Sequence, residues 1–310
     1  PLYSLAWWSL LLGLVLFFRV LCVQFSSRGF LKMMLWVLLG MSVAEALYGI
    51  LQALLPNLGV LWVTYMKSAM GDARGTYINR NHFAGLMEMM LPLLLGFGLS
   101  RVSWGGRLKV ATLIRSERLH QHILMILGLV IMALALLFSK SRGGITGGLI
   151  GLLVFVWLLR GRQRRLPLET RAALGLFLAL IVFYGLNVGF GPIIERFLAL
   201  DQGGNGRLDF WRDSLPMIAD HPLGIGLAAF KTVFPVYHVS AVSDASMPYY
   251  LHNDWLQLLA ETGWVGLISL GGAFLVFMGR SCVRLRRMDP ASDPQRFFLA
   301  VGAFSGLVAL

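Results

Sequence analysis

Charge is scarce in this chain: 14% of its 310 residues are Asp, Glu, Lys or Arg, whereas 57% are hydrophobic. Soluble domains carry about 25% charged and roughly 45–50% apolar residues. A soluble globular protein and a disordered chain are both excluded. Cysteine is almost missing, and Cys22 and Cys282 make neither a disulfide framework nor a metal-ligand pair. Several catalytic signatures are absent as well. There is no Asp-x-Asp pair to cradle a metal for a sugar nucleotide, no Walker loop, no Gly-x-Gly-x-x-Gly after a strand and no Gly-x-Ser-x-Gly elbow.

What the chain does have is long apolar runs, with mean hydropathy +0.72. A membrane helix needs about 20 largely apolar residues to cross a core about 30 Å thick. Runs of that kind fall near 2–21, 34–55, 83–100, 121–138, 143–159, 172–190, 253–278 and 297–310. The expected fold is all-α, a polytopic membrane helix bundle of about eight spans in this segment. The first span is too long for a signal peptide, and the last runs to Leu310 in mid-span, so the chain reads as a segment of a longer protein.

The formal charge of +12 sorts by loop. Eighteen of the 27 basic residues follow the first, third, fifth and seventh spans, among them Arg160, Arg162, Arg164, Arg165 and Arg171. The positive-inside rule makes that side cytoplasmic. Most of the charge is therefore topological, and no nucleic acid is called for. Nine basic residues fall outside: Lys67, Arg74, Arg80, Lys140, Arg142, Arg196, Arg207, Arg212 and Lys231. Two explanations stand side by side, a shared anionic ligand and ordinary pairing with outer acids such as Asp72 and Asp213.

The expected organisation is membrane helices over 1–190, a large outer loop with helices of its own over 191–252, and further membrane helices over 253–310. A loop of about 60 residues is too long to lack structure in a compact domain. Within it, Arg207–Ala219 reads as a helix with Leu208, Trp211 and Leu215 on one face and Asp209 and Asp213 in its first turns. The run His221-Pro222-Leu223-Gly224-Ile225-Gly226 stops that helix. A second stretch, 227–238, is aromatic and amphipathic, suited to lying along a membrane surface.

The polar residues able to carry chemistry gather on the outer side. His252 opens the seventh span, and Gly263 lies three turns on, so the two are expected to share a face and leave a notch for a ligand or helix. Imidazole, with an unperturbed pKa of about 6.5, suits a general base at neutral pH; a plain interfacial histidine is the other reading. Asn79-Arg80-Asn81-His82 enters a membrane helix directly, which is expensive unless those side chains line a cavity. In Ser141-Arg142-Gly143-Gly144, a helix start and a guanidinium would together suit a phosphate, although a tight turn explains the glycines equally well. Glu45, Glu88 and Glu261 lie within spans and are candidates by that placement; Glu88 is in range to pair with Arg80 or Arg142. His221, His238 and His252 match no standard zinc spacing.

Four landmarks then carry a resemblance: Asn79-Arg80-Asn81-His82-Phe83-Ala84-Gly85; Ser141-Arg142-Gly143-Gly144; Gly206-Arg207-Leu208-Asp209-Phe210-Trp211 running into His221–Gly226; and His252 with ten residues to Gly263. In that order, they resemble the O-antigen ligase and O-antigen polymerase superfamily of bacterial membrane glycosyltransferases. The resemblance implies a metal-independent, cofactor-free, inverting transfer of a glycan from undecaprenyl pyrophosphate to an acceptor hydroxyl. In ligases the acceptor is a sugar of the lipid A core. It further implies a multi-pass protein of the bacterial inner membrane whose site and 191–252 loop face the periplasm.

On that resemblance His252 is the catalytic base. The family's loop arginine corresponds to Arg207, which is expected to bind pyrophosphate; Arg142, Arg80 and Arg74 are further candidates for that anion from their own placement, with Asn81, His82 and Glu88 as supporting residues. Two alternatives use the same donor, an O-antigen or exopolysaccharide polymerase and a protein O-oligosaccharyltransferase. A lipid-glycan transporter is more remote, because a transporter wants its polar groups near mid-membrane.

Overall fold

The computed structural model describes residues 2–25, 27–55, 58–61, 71–101, 117–160, 205–239 and 249–310. The side chains of 2–4, 117–122 and 205–207 are outside this description, as are the expected span 172–190 and most of the arginine-rich loop after Arg160. The elements are all helical: α1 Leu2–Gln24, α2 Arg28–Leu54, α3 Arg80–Ser100, α4 Glu117–Phe138, α5 Arg142–Leu159, α6 Asn205–Asp220, α7 Phe230–Val233, α8 Asp254–Gly266, α9 Gly272–Arg287 and α10 Pro294–Ala309. A π-helical turn, Leu267–Gly271, joins α8 to α9.

Among the described residues, five helices are long and apolar enough to cross a membrane: Leu5–Gln24, Arg28–Leu54, Arg80–Ser100, Arg142–Leu159 and the continuous Asp254–Arg287. Ile123–Phe138 is apolar but shorter. The spans begin where local chemistry can satisfy the first orphan N–H groups. Asn79 caps α3, Ser141 caps α5, Asn253 caps α8 and Asp293 caps α10, each side-chain oxygen accepting a backbone N–H of the first turn. α1 leaves apolar side chains such as Leu11, Leu14 and Phe18 exposed on every face, as a helix surrounded by lipid does.

The chain forms two compact units, 1–32 with 196–280 and 33–195 with 281–310. In the second, α3, α5 and α10 pack around Leu95, Leu99, Phe155, Leu158, Phe297, Phe298 and Val301. Lipid is as apolar as leucine, so close backbone approach takes over from hydrophobic drive in holding such helices. Gly302 of α10 shows it: a Cβ there would stand 2.6 Å from the Pro92 carbonyl oxygen of α3.

In the first unit, α6, α7 and α8 enclose Phe210, Met217, Ile218, Phe230, Phe234, Leu251 and Ala260. The helix expected over 207–219 is present within Asn205–Asp220, and its core side is another face than that of Leu208 and Leu215. Leu208 and Leu215 are exposed, and Phe210, Met217 and Ile218 form the core side, with Trp211 half-buried between. Period alone ranks the two apolar stripes equally; the aromatic pair Phe230 and Phe234, supplied by a later segment, selects one.

Candidate functional site

In the unit of 33–195 and 281–310, two of the motifs come together. Asn79 begins α3, Ser141 begins α5, and the Ser141 hydroxyl donates to Asn81 Oδ1 at 2.9 Å while accepting from Gly144 N–H at 3.3 Å. The loop between α2 and α3 is held onto this pair of helix starts. Ala73 N–H donates to the Phe138 carbonyl, Gln52 bonds both Gly75 O and Arg74 N–H, and Glu45 accepts from the Thr76 backbone and hydroxyl. Glu45 thus serves as an anchor for the loop. With burial as the main cause, the Glu45 charge also helps to push the Tyr77 phenol above its ordinary pKa of 10.0.

That anchoring gathers charge. Asp72, buried, takes Arg80 at 2.6 Å on Oδ2, Lys140 at 3.3 Å on Oδ1 and Arg74 at 3.6 Å on Oδ2. Three cations on one carboxylate leave these four groups with a net charge of +2. Pairing and anion binding are therefore not rivals here: the acid fixes the cations and leaves positive charge over. Arg74 is oriented further by donating to the Ile78 carbonyl at 3.0 Å. Arg142 is half-buried in the first turn of α5, and His82 is exposed in the first turn of α3. Glu88 is buried, and its Oε2 has no hydrogen-bond partner among the described residues. Arg80, one of the two partners foreseen for it, is bound to Asp72 instead.

In the unit of 1–32 and 196–280, α6 carries Arg207, whose side chain lies outside the described residues. His252 is exposed, yet it does not open a helix. It precedes α8, with Asn253 as the cap, and its backbone is left-handed at φ +54°. Such a conformation costs a non-glycine residue of order 1–3 kcal/mol and persists where neighbours over-determine it. Lys140 (φ +51°) and Ala228 (φ +58°) are the other two described non-glycine residues of this kind.

The expected notch at Gly263 is also real but occupied. Gly263 breaks α8 at φ +66° and ψ −170°, and the turn Pro222–Gly224 fills the space. Trp264 N–H donates to Pro222 O, Ile225 N–H to Ala260 O and Gly226 N–H to Glu261 O. The spacing of His252 and Gly263 therefore reports docking of the 221–226 turn and not a shared helix face.

The histidines do not converge. His238 Nδ1 lies 2.9 Å from Asp213 Oδ2, both side chains buried and the imidazole against Phe210 and Phe234. His221 lies against Tyr237, whose hydroxyl donates to Asp220 at 3.0 Å. That bond, ahead of desolvation and the Asp220 charge, raises the Tyr237 phenol above 10.0. Among the described residues no three His, Cys, Asp or Glu are grouped to hold a metal. Asp213, expected to favour the helix dipole, works instead as the buried partner of His238 and of Val239 N–H.

Residues 127–271 match the family model described as O-antigen ligase. This segment is similar to the O-antigen ligase family. The matched segment, nearly half the chain, includes the Ser141–Gly144 start of α5, the α6 helix, the 221–226 turn, His252 and Gly263, and stops short of the Asn79–Gly85 entry. No curated protein and no solved structure matches the chain. Within the matched segment, Trp211 was legible only as part of a helix face and a motif, and Gln257 was not singled out; the two bond the carbonyl and the N–H of Leu251. Asp72, upstream of the matched segment, was legible only as one outer acid among eight.

Proposed function

We propose that this protein is an O-antigen ligase-type glycosyltransferase that moves a glycan from undecaprenyl pyrophosphate to a hydroxyl of a lipid A-core sugar. The family match supports a place among O-antigen ligase and polymerase-type membrane glycosyltransferases, and it is the observation that carries the reading. In this reading the segment has eight spans, the 191–252 loop and both clusters face the periplasm, and the membrane is the bacterial inner one.

The donor brings its own leaving group. The acceptor oxygen attacks C1 of the donor sugar from the face opposite the pyrophosphate. The new C1–O bond forms as the bond to the pyrophosphate oxygen breaks, and undecaprenyl pyrophosphate departs with the electron pair. His252 takes the acceptor's proton. Arg207, Arg142, Arg80 and Arg74 bind the pyrophosphate and stabilise its growing charge through paired, charge-assisted hydrogen bonds. The net +2 around Asp72 supports that assignment. Asn81, His82 and Glu88 support the helix entry. No metal or cofactor is required.

The test is transfer by purified protein in detergent with a lipid-linked donor. His252→Ala should lose about 10²–10⁴ in rate, the usual share of a general base, while retaining the donor. Arg207→Lys should lose most activity, since a point ammonium cannot reproduce the planar fork. EDTA should change nothing. Near-normal turnover by the alanine variant removes His252 as the base.

A further inference from the structure

His252 is exposed, but its two neighbours are among the most firmly held residues of its unit. Leu251 has a fully buried side chain, and both of its backbone polar groups are taken by side chains. Its N–H donates to Gln257 Oε1 at 2.8 Å, and its carbonyl accepts the Trp211 indole N–H at 2.7 Å. On the other side, Asn253 is fixed as the α8 cap through Leu256 N–H. Between these clamps the His252 backbone is held left-handed.

The Gln257 amide is itself oriented. Its Nε2 donates to Glu261 Oε1 at 2.7 Å. An ionised carboxylate only accepts, so it must face the NH₂ end, and the amide oxygen is thereby turned towards Leu251. The second Glu261 oxygen accepts Ala228 N–H at 3.0 Å, at another left-handed residue. A continuous relay thus runs from the turn after Gly226, through Glu261 and Gln257, to the N–H of Leu251, the residue before His252.

We infer that Gln257 and Glu261 are positioning residues that set the direction in which His252 presents its imidazole and couple that direction to the 221–228 turn. The inference rests on the reading of His252 as the base. It gives Glu261, nine residues beyond the histidine, a part it plays through the backbone, and brings in Gln257, which sequence spacing did not single out.

The donor and acceptor directions supply a demanding test. Gln257→Glu alone sets two carboxylates against each other and breaks the relay. Gln257→Glu combined with Glu261→Gln restores every bond: the carboxylate of Gln257→Glu accepts from Leu251 N–H and from the amide of Glu261→Gln, whose oxygen accepts Ala228 N–H. Turnover and donor KM are measured for purified protein with a lipid-linked donor, and melting is followed in detergent. Displacing a reacting group by about 1 Å can cost about 10²-fold, so Gln257→Glu and Gln257→Leu should lower kcat by up to about that factor with donor KM little changed. The paired exchange should recover most of the loss. In a His252→Ala background, Gln257→Leu should cause no further loss, because it acts through the missing imidazole.

Parent-like kcat in Gln257→Leu overturns the relay, as does an equal further loss on top of His252→Ala or a paired variant no better than Gln257→Glu. If His252→Ala itself turns over normally, the reading of the base fails instead, and the two failures are told apart.

Discussion

Replacing Gly263 by alanine should detach the 221–226 turn from α8. Gly263 sits at φ +66° and ψ −170°, a region that glycine alone occupies comfortably, and a Cβ there would stand 2.6 Å from Leu223 Cα. The backbone conformation costs about 1–3 kcal/mol for alanine. If the turn yields, the Trp264 N–H bond to Pro222 O, 3.1 Å long, goes first, worth about 0.5–1.5 kcal/mol net. The bonds from Ile225 and Gly226 to Ala260 and Glu261 lie immediately beyond. Together these put the local cost at about 2–5 kcal/mol, and each 1.4 kcal/mol is tenfold in an equilibrium.

Hydrogen exchange of the 223–228 amides in detergent should therefore accelerate on the order of 10²–10³-fold as local opening is favoured. The control is Gly279→Ala. It lies within α9, where a Cβ meets nothing within 4 Å, so exchange near the turn should be unchanged and the helix stabilised by up to about 1 kcal/mol. Equal protection of 223–228 in Gly263→Ala and in the control would refute the account of Gly263 as the seat of that turn.

Other outcomes follow from the same geometry. Asp72→Asn should destabilise the protein by about 3–5 kcal/mol, because a buried carboxylate leaves three cations uncompensated. Added pyrophosphate should raise the melting temperature of that variant more than that of the parent, and no difference would remove the cluster as an anion site. Tyr237 favours its protonated form in the fold, so its contribution is complete below pH 10.0 and fades as pH rises through its raised folded pKa. Tyr237→Phe should abolish that alkaline dependence in melting experiments. For topology, with Cys22 and Cys282 replaced, cysteine at Gln202 should react with an impermeant thiol reagent in intact cells and cysteine at Gln163 should not; the reverse would turn the proposed site to the wrong side.

Much of this protein follows from local chemistry and is legible without a fold. Helix type and the approximate span positions come from apolar run length, because a bilayer imposes about 20 residues regardless of what packs beside them. Helix starts were legible in part: Ser141 can satisfy an N–H group three residues on, whereas the start of α8 is capped by Asn253 and not opened by His252. The motifs at 79–85, 141–144 and 252–263 pointed to the parts of the chain where polar structure concentrates.

What tertiary structure alone decided is the set of contacts whose two partners are distant in sequence. Asp72 could not be picked from eight outer acids, because its role arises when Ala73 docks on Phe138 and brings Lys140 within reach. The exposure of Leu208 and Leu215 depended on Phe230 and Phe234 claiming the other stripe of α6. His252 is left-handed because Trp211 and Gln257 hold Leu251 from opposite sides, and a backbone angle imposed by neighbours leaves no mark on the residue's own identity. The period of a helix placed His252 and Gly263 on one face; the cap at Asn253 and the docked turn at Pro222 gave each a different task, since a glycine three turns from a histidine admits whatever backbone arrives there first.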